Sequence, residues 1–310
     1  MESKNQSLVR YFIIQGISGL PELQVPIFLL VLFLYILTLA GNMTILLLVC
    51  LDRHLHTPMY FFLCNLSILD MFSTTLTQHN VLVFFITKNN RVSYNTCITQ
   101  MYFFGCFICD ELLFLTAMSY DRYVAICNPL CYHMYMNNQV CALLALSCWL
   151  IGFIEVIPYI ILLLGFSCYK SNIVNHFFCD LVPLMKLSCS DTSVLEILSL
   201  TEGFLLMTFT PFLLTFISYV FIIVSILKIR SSIGRRKAFY TCSSHLTVVI
   251  LLYVTLFSQY LKPTATDTSE SSKFVSLFNT AVVPLLNPLI YSLKNKDVKV
   301  ALARRFKCNY

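Results

Sequence analysis

PIFLLVLFLYILTLAGNMTILLLVCL, the stretch from Pro26 to Leu51, contains no Asp, Glu, Lys or Arg. About 20 apolar residues in a helix, rising about 1.5 Å each, cross a hydrocarbon core about 30 Å thick. The stretch is long and apolar enough to do so as one helix. Six others share its character: Pro58–Ile86, Cys97–Ile126, Val140–Leu164, Val194–Ile229, Ala238–Leu261 and Phe274–Leu293. The second carries one acid, Asp70, and the fourth one, Glu155. Membrane strands would alternate over segments of about 10 residues, and that pattern is absent. The reading is an all-α membrane protein, a seven-transmembrane helix bundle.

Composition agrees. Of the 310 residues, 58% are hydrophobic and only 12% charged, with a mean hydropathy of +0.77. Soluble domains carry about 25% charged residues, so disorder, a coiled coil and a collagen are excluded. The net charge of +6 comes with no basic cluster dense enough to neutralise phosphates, so no nucleic-acid partner is expected. It orients the chain in the bilayer instead. With the N-terminus outside, 13 of the 21 lysines and arginines lie on the inner side, including Arg230, Arg235, Arg236 and Lys237. That bias predicts an extracellular N-terminus, a cytoplasmic C-terminus and a multi-pass protein of the plasma membrane.

The expected organisation is an extracellular tail over residues 1–25, a seven-transmembrane bundle over 26–293 and a cytoplasmic tail over 294–310. The tail is too polar for a cleavable signal. It reads as flexible, with a glycosylation sequon at Asn5. Formal sequons at Asn42 and Asn65 fall inside spans and are expected to be unmodified. Past Lys294, basic residues alternate with Val298, Val300, Ala301, Leu302 and Phe306, the pattern of a short amphipathic C-terminal helix on the inner leaflet. Most of the 14 cysteines sit within spans as small apolar side chains. Cys97, Cys168, Cys179 and Cys189 fall on the outer, oxidising side, where disulfides persist. Spacing alone does not choose among their pairings.

Polar groups at membrane depth are costly and so point to function. Several occur in long strings: Leu55-His-Thr-Pro-Met-Tyr60, Met118-Ser-Tyr-Asp-Arg-Tyr-Val-Ala-Ile-Cys127, Lys237-Ala-Phe-Tyr-Thr-Cys-Ser-Ser-His-Leu246 and Pro284-Leu-Leu-Asn-Pro-Leu-Ile-Tyr291. With Gly41-Asn42, and Ser218-Tyr219 below Pro211, they resemble the rhodopsin-like G-protein-coupled receptors, and within them the tetrapod-type olfactory receptors. The resemblance covers essentially the whole chain. Two departures stand out: Ser119 where the family usually has Ala, and Leu252-Tyr253-Val254 where it often has Phe-Tyr-Gly, a change near the presumed ligand floor.

The resemblance implies a bridge from Cys97 to Cys179 and a second from Cys168 to Cys189, which together make a lid of the long outer loop. It also implies a switch at the cytoplasmic end. Arg122, flanked by Asp121 and Tyr123, is restrained at rest and meets the G protein once the sixth helix moves. Tyr219 and Tyr291 then support it, and Lys237 assists docking. An arginine at a helix end also snorkels to headgroups, but that role does not call for the neighbouring Asp121.

The ligand site is expected among the outer halves of the third, fifth, sixth and seventh helices. The residues facing it would be Phe104, Gly105, Ile108, Cys109, Leu112, Gly203, Phe204, Met207, Tyr253, Leu256, Tyr260, Leu277 and Thr280. Such a wall suits a small, mostly apolar odorant, and the absence of lysine and arginine from it disfavours an anion. Lower down, Asp70 and Glu111 are expected to face each other near Asn42 and Asn287. Two carboxylates in a low-dielectric interior cannot both stay ionised unaided. They share a proton or hold a cation, and sodium, an allosteric modulator rather than a cofactor, fits. Asp110 turns away from this pair. The sodium site is assigned to Asp70 and Glu111 alone.

Rival classes lack their motifs. There is no His-Glu-x-x-His, Gly-x-Ser-x-Gly or Walker loop for an enzyme, and no repeated halves for a transporter. The expected function is an odorant receptor that activates the olfactory stimulatory G protein and raises cyclic AMP. A receptor for a non-odorant small molecule is the alternative.

Overall fold

A computed structural model describes residues 9–17, 21–166, 168–260, 269–294 and 296–307. Seven helices in it are long and apolar enough to cross a membrane: Glu22–Leu51, Pro58–Thr87, Tyr94–Cys127, Asn138–Leu164, Ser193–Lys228, Ser232–Ser258 and Lys273–Tyr291. They are called the first to seventh helices below. Their outward faces carry large exposed apolar side chains such as Phe33, Leu143 and Leu227. Lipid solvates such a surface, whereas water would drive it to associate.

The third helix is the axis. Its Leu112, Phe114, Leu115 and Met118 are fully buried, and one core joins them to Leu63, Leu66 and Leu69 of the second helix, Val248, Leu252 and Leu256 of the sixth, and Tyr291 of the seventh. The first helix starts at Pro21, ahead of the expected Pro26. Proline suits a first turn, where its missing N–H costs nothing, and Glu22 complements the positive end of the helix dipole.

Three helices break their regular winding. The fourth runs as Asn138–Glu155 and Ile157–Leu164, parted where Pro158 cannot donate to the carbonyl four residues back. The fifth is π-helical over Ser199–Phe209, where Thr208 and Thr210 hydroxyls donate to the Gly203 and Leu205 carbonyls at 2.8 and 2.9 Å. The seventh is π-helical over Phe278–Val282. Farther along it, Pro288 leaves the Pro284 carbonyl without a helical donor, and the Asn42 amide of the first helix donates to it at 3.2 Å. Gly41 permits that approach, because a Cβ there would lie 3.0 Å from the Pro288 ring.

The N-terminal segment is not wholly flexible. Strand β1 (Tyr11–Ile14) lies between β2 (Arg91–Ser93), to which it is antiparallel, and β3 (Ile173–Val174), to which it is parallel. It buries Phe12 completely. Asn5 lies outside the described residues. Asn65 is inside the second helix, and its side chain accepts from the Trp149 indole at 3.1 Å. At the other end, the helix Lys296–Lys307 buries Val298 and Ala301 against the bundle, while Val300 faces outward. Arg305 ties it to the Leu51 carbonyl at 2.7 Å.

Candidate ligand cavity and switch

Disulfides join Cys97 to Cys179 and Cys168 to Cys189, the pairing implied by the resemblance. The first fastens the long loop to the start of the third helix. The loop's Cys179 N–H donates to Gln100 Oε1 at 3.0 Å, and Gln100 also accepts from Asn80 of the second helix at 3.0 Å. Within the loop, His176, Phe177 and Phe178 turn inward and are buried, with the His176 ring stacked on Phe177. Burial lowers the His176 imidazole below its ordinary value of 6.5, with Asp180 opposing the shift and Lys273 reinforcing it. Cys179 is committed to its bridge. Among the described residues no three His, Cys, Asp or Glu side chains converge on a metal site.

Beneath the loop lies a cavity of about 160 Å³. Seven of the expected residues line it: Phe104, Gly105, Ile108, Cys109, Leu112, Gly203 and Met207. The rest of its wall differs from the expectation. No described residue of the sixth or seventh helix contributes. The cavity lies between the third helix, the broken fourth, the π-helical part of the fifth and the loop, with Met101, Glu155, Val156, Tyr159, Asp180 and Thr208 among its walls.

The other expected residues are accounted for individually. Phe204 turns to the sixth helix and meets Phe257 edge-on at 6.1 Å. Tyr253 packs on Phe212 at 5.1 Å, and Leu256 joins the main core. Leu277 packs with Phe104 and Phe178, and the Tyr260 side chain lies outside the described residues. Val254 is 62% exposed, so this departure from the family string faces lipid and does not shape the ligand floor. Ser119 is buried and donates to the Leu115 carbonyl at 2.9 Å.

Deeper in the bundle, Asp70, Ser73, Glu111, Asn279 and Thr280 share a small cavity of about 10 Å³. The Asn287 amide donates to both Asp70 oxygens, at 3.1 and 3.0 Å. Glu111 Oε1 is shielded and accepts nothing among the described residues. Asn42 is occupied by the Thr38 and Pro284 carbonyls. Asp110 is fully buried on another side of the third helix, against Gly152 of the fourth, as its expected direction requires.

At the far end from the loop, Arg122 Nε donates to Asp121 Oδ2 at 2.9 Å. The Tyr132 hydroxyl, from the short helix Tyr132–Tyr135, donates to Asp121 Oδ1 at 2.7 Å. Burial and the adjacent Asp121 carboxylate both raise the Tyr132 hydroxyl above its usual value, so it remains a donor. Tyr219 is not on the arginine; its hydroxyl meets His245 Nδ1 at 2.6 Å, with the rings stacked. The Tyr291 hydroxyl is buried with no partner among the described residues. Tyr123 packs on Tyr120 and Phe221. The Lys237 side chain lies outside the described residues. Tyr132 and His245 are additions to the expected switch set, and His245 was visible in the string that opens the sixth helix.

The olfactory receptor family model matches residues 31–308. The chain belongs to the olfactory receptor family. It is 47% identical over 307 residues to mouse (Mus musculus) Olfactory receptor 8G50, covering 99% of this chain and 98% of that one. It is 44% identical over 305 residues to human (Homo sapiens) Olfactory receptor 8D1, covering 98% of each. The fold is similar to that in the crystal structure of squid rhodopsin, with a TM-score of 0.73 and 18% identity, covering 92% of this chain and 86% of the other. This olfactory receptor family member is thus a multi-pass membrane protein with a rhodopsin-like bundle, and not an enzyme.

Proposed function

We propose that this olfactory receptor family member binds a small odorant with a mostly apolar body in the 160 Å³ cavity and activates a stimulatory heterotrimeric G protein, raising cyclic AMP. The loop end is extracellular and the Asp121–Arg122 end cytoplasmic, a placement supported by the lysine and arginine bias. The observation that carries the reading is the restraint of Arg122 by Asp121, itself gripped by Tyr132, at the opposite end of the third helix from the cavity. This is a resting arrangement. Ligand that binds the active state better shifts the balance between two states: the sixth helix moves, Tyr219 leaves His245, and Tyr219 and Tyr291 support the freed arginine. Lys237 contributes to docking. Asp70 and Glu111 hold a sodium ion that favours rest, with Asn287 fixing Asp70.

The experiment is a broad odorant screen by cyclic AMP in cells supplied with the olfactory stimulatory G protein, comparing wild type with Arg122→Ala. The variant is expected to reach the surface normally and to lose ligand-driven cyclic AMP, because Arg122 faces away from the cavity. Normal signalling by a surface-expressed Arg122→Ala would refute the assignment.

A further inference from the structure

Two carboxylates line the 160 Å³ cavity: Glu155, which ends the first segment of the fourth helix, and Asp180, from the loop. No lysine or arginine is among the described lining residues. Asp180 already has a structural task, since its Oδ1 accepts from the Leu181 N–H at 2.8 Å and caps the short helix Leu181–Leu187. Glu155 has none. Its Oε1 is closed off from solvent and accepts no hydrogen bond among the described residues. The charge that bears on it is that of Glu202 on the fifth helix, of the same sign. The rest of the wall is mostly apolar, with Met101, Ile108, Leu112 and Met207, and carries the hydroxyls of Tyr159, Ser199 and Thr208.

Glu155 as a whole is half-buried, but an oxygen closed off without a donor is disfavoured, and a cationic N–H group supplies both the donor and the counter-charge. A bare metal ion does not answer, because Met101, Ile108, Leu112 and Met207 around the carboxylate offer it no oxygen ligands. An organic ammonium does, since it needs one or two acceptors and an apolar wall for its carbon chain. A dry cavity of about 150 Å³ holds a molecule the size of benzene, so 160 Å³ has room for an alkylamine of about six heavy atoms.

We propose that the cavity selects small organic amines, the ammonium group set against Glu155 with Asp180 beside it, and the alkyl body against Met101, Ile108 and Leu112. The inference rests on reading the cavity as the ligand site. It adds a cationic head to the mostly apolar body of that ligand.

The test uses the full chain, surface-labelled, in the cyclic-AMP assay with three probes of equal length: n-pentylamine, n-pentanol and pentanoic acid. At neutral pH the amine is cationic, the alcohol neutral and the acid anionic. The amine is expected to act at concentrations at least about tenfold below the alcohol, with the acid weakest. Glu155→Gln is expected to reduce the amine-to-alcohol preference about tenfold, and Glu155→Asp to restore part of it. Should Glu155→Gln fail to reach the surface, wild type compared on n-pentylamine and its neutral N-acetyl derivative still decides, loss of potency on acetylation being the expected result. An alcohol as potent as the amine, or an inert amine, overturns the proposal. The cavity reading fails separately: a Leu112→Trp variant, which fills the cavity, would then leave the response to any activating odorant unchanged.

Discussion

Asp121 is restrained from two sides, and the two restraints differ in kind. Arg122 contributes charge and a directed N–H, whereas Tyr132 contributes a neutral hydroxyl from a helix outside the bundle. Hydrogen bonds to charged groups are worth about 1.5–3 kcal/mol. Removing the Tyr132 bond leaves Asp121 Oδ1 without a donor in the resting state, where its side chain is fully buried. Tyr132→Phe is therefore expected to shift the resting balance toward release of Arg122 by about tenfold, since about 1.4 kcal/mol is a factor of ten. Basal cyclic AMP, normalised to surface receptor, would rise severalfold, and an unchanged or lowered basal level would show that the bond does not belong to the resting state. At this scale the sequence is only partly legible. Phe104, Ile108 and Leu112 recur at helical spacing and therefore share a face. Glu155 and Asp180 carry no such periodic signal. They reach the cavity only because the fourth helix breaks at Pro158 and a bridged loop folds over it.

The helices themselves are the most legible elements, because a bilayer demands length and apolarity that nothing else in the chain imitates. Strand β1 is the opposite case. Tyr11–Ile14 is four residues long, and its partners Val92 and Ile173 are remote in the chain, so no local pattern announces it. The π-helical stretch of the fifth helix is equally silent in sequence, yet it sets where Gly203 and Met207 meet the cavity. The loop element yields a sharper expectation. The Cys97–Cys179 bridge closes a chain separation of 82 residues, and a bridge of this kind contributes about 2–4 kcal/mol. Cys97→Ser and Cys179→Ser each open the same bond, so each is expected to cut surface expression sharply, and the double variant no further. That is the non-additivity of a shared interaction. Flow cytometry of the three variants checks it, and clearly additive losses would mean that the two cysteines act separately.

Across the whole molecule, the third helix carries the cavity, the small acidic cavity and the arginine on one continuous element, so a change of packing at one level bears on the others. Between the two ends lie Asp70 and Glu111. Their shared space, about 10 Å³, is close to the least that admits one water-sized occupant. It is walled by oxygen-bearing groups from the second, third and seventh helices, namely Asp70, Ser73, Glu111, Asn279 and Thr280. Such oxygens suit a small hard cation. On the proposed reading, a sodium ion there would join three helices in their resting packing, and a state that closes the space would have to expel it. It would then oppose activation by its differential affinity for the two states, and by no more than that. Replacing external sodium with N-methyl-D-glucamine, too bulky for the space, is expected to raise basal cyclic AMP and sharpen the odorant response. Glu111→Gln retains the shape but removes one of the two charges, so the difference between the two salts is expected to shrink while the odorant preference set by the upper cavity is unchanged. Wild-type signalling indifferent to the exchange would dismiss the ion and leave the two carboxyls sharing a proton. Signalling would then follow pH instead of sodium, and Glu111→Gln would flatten that pH dependence.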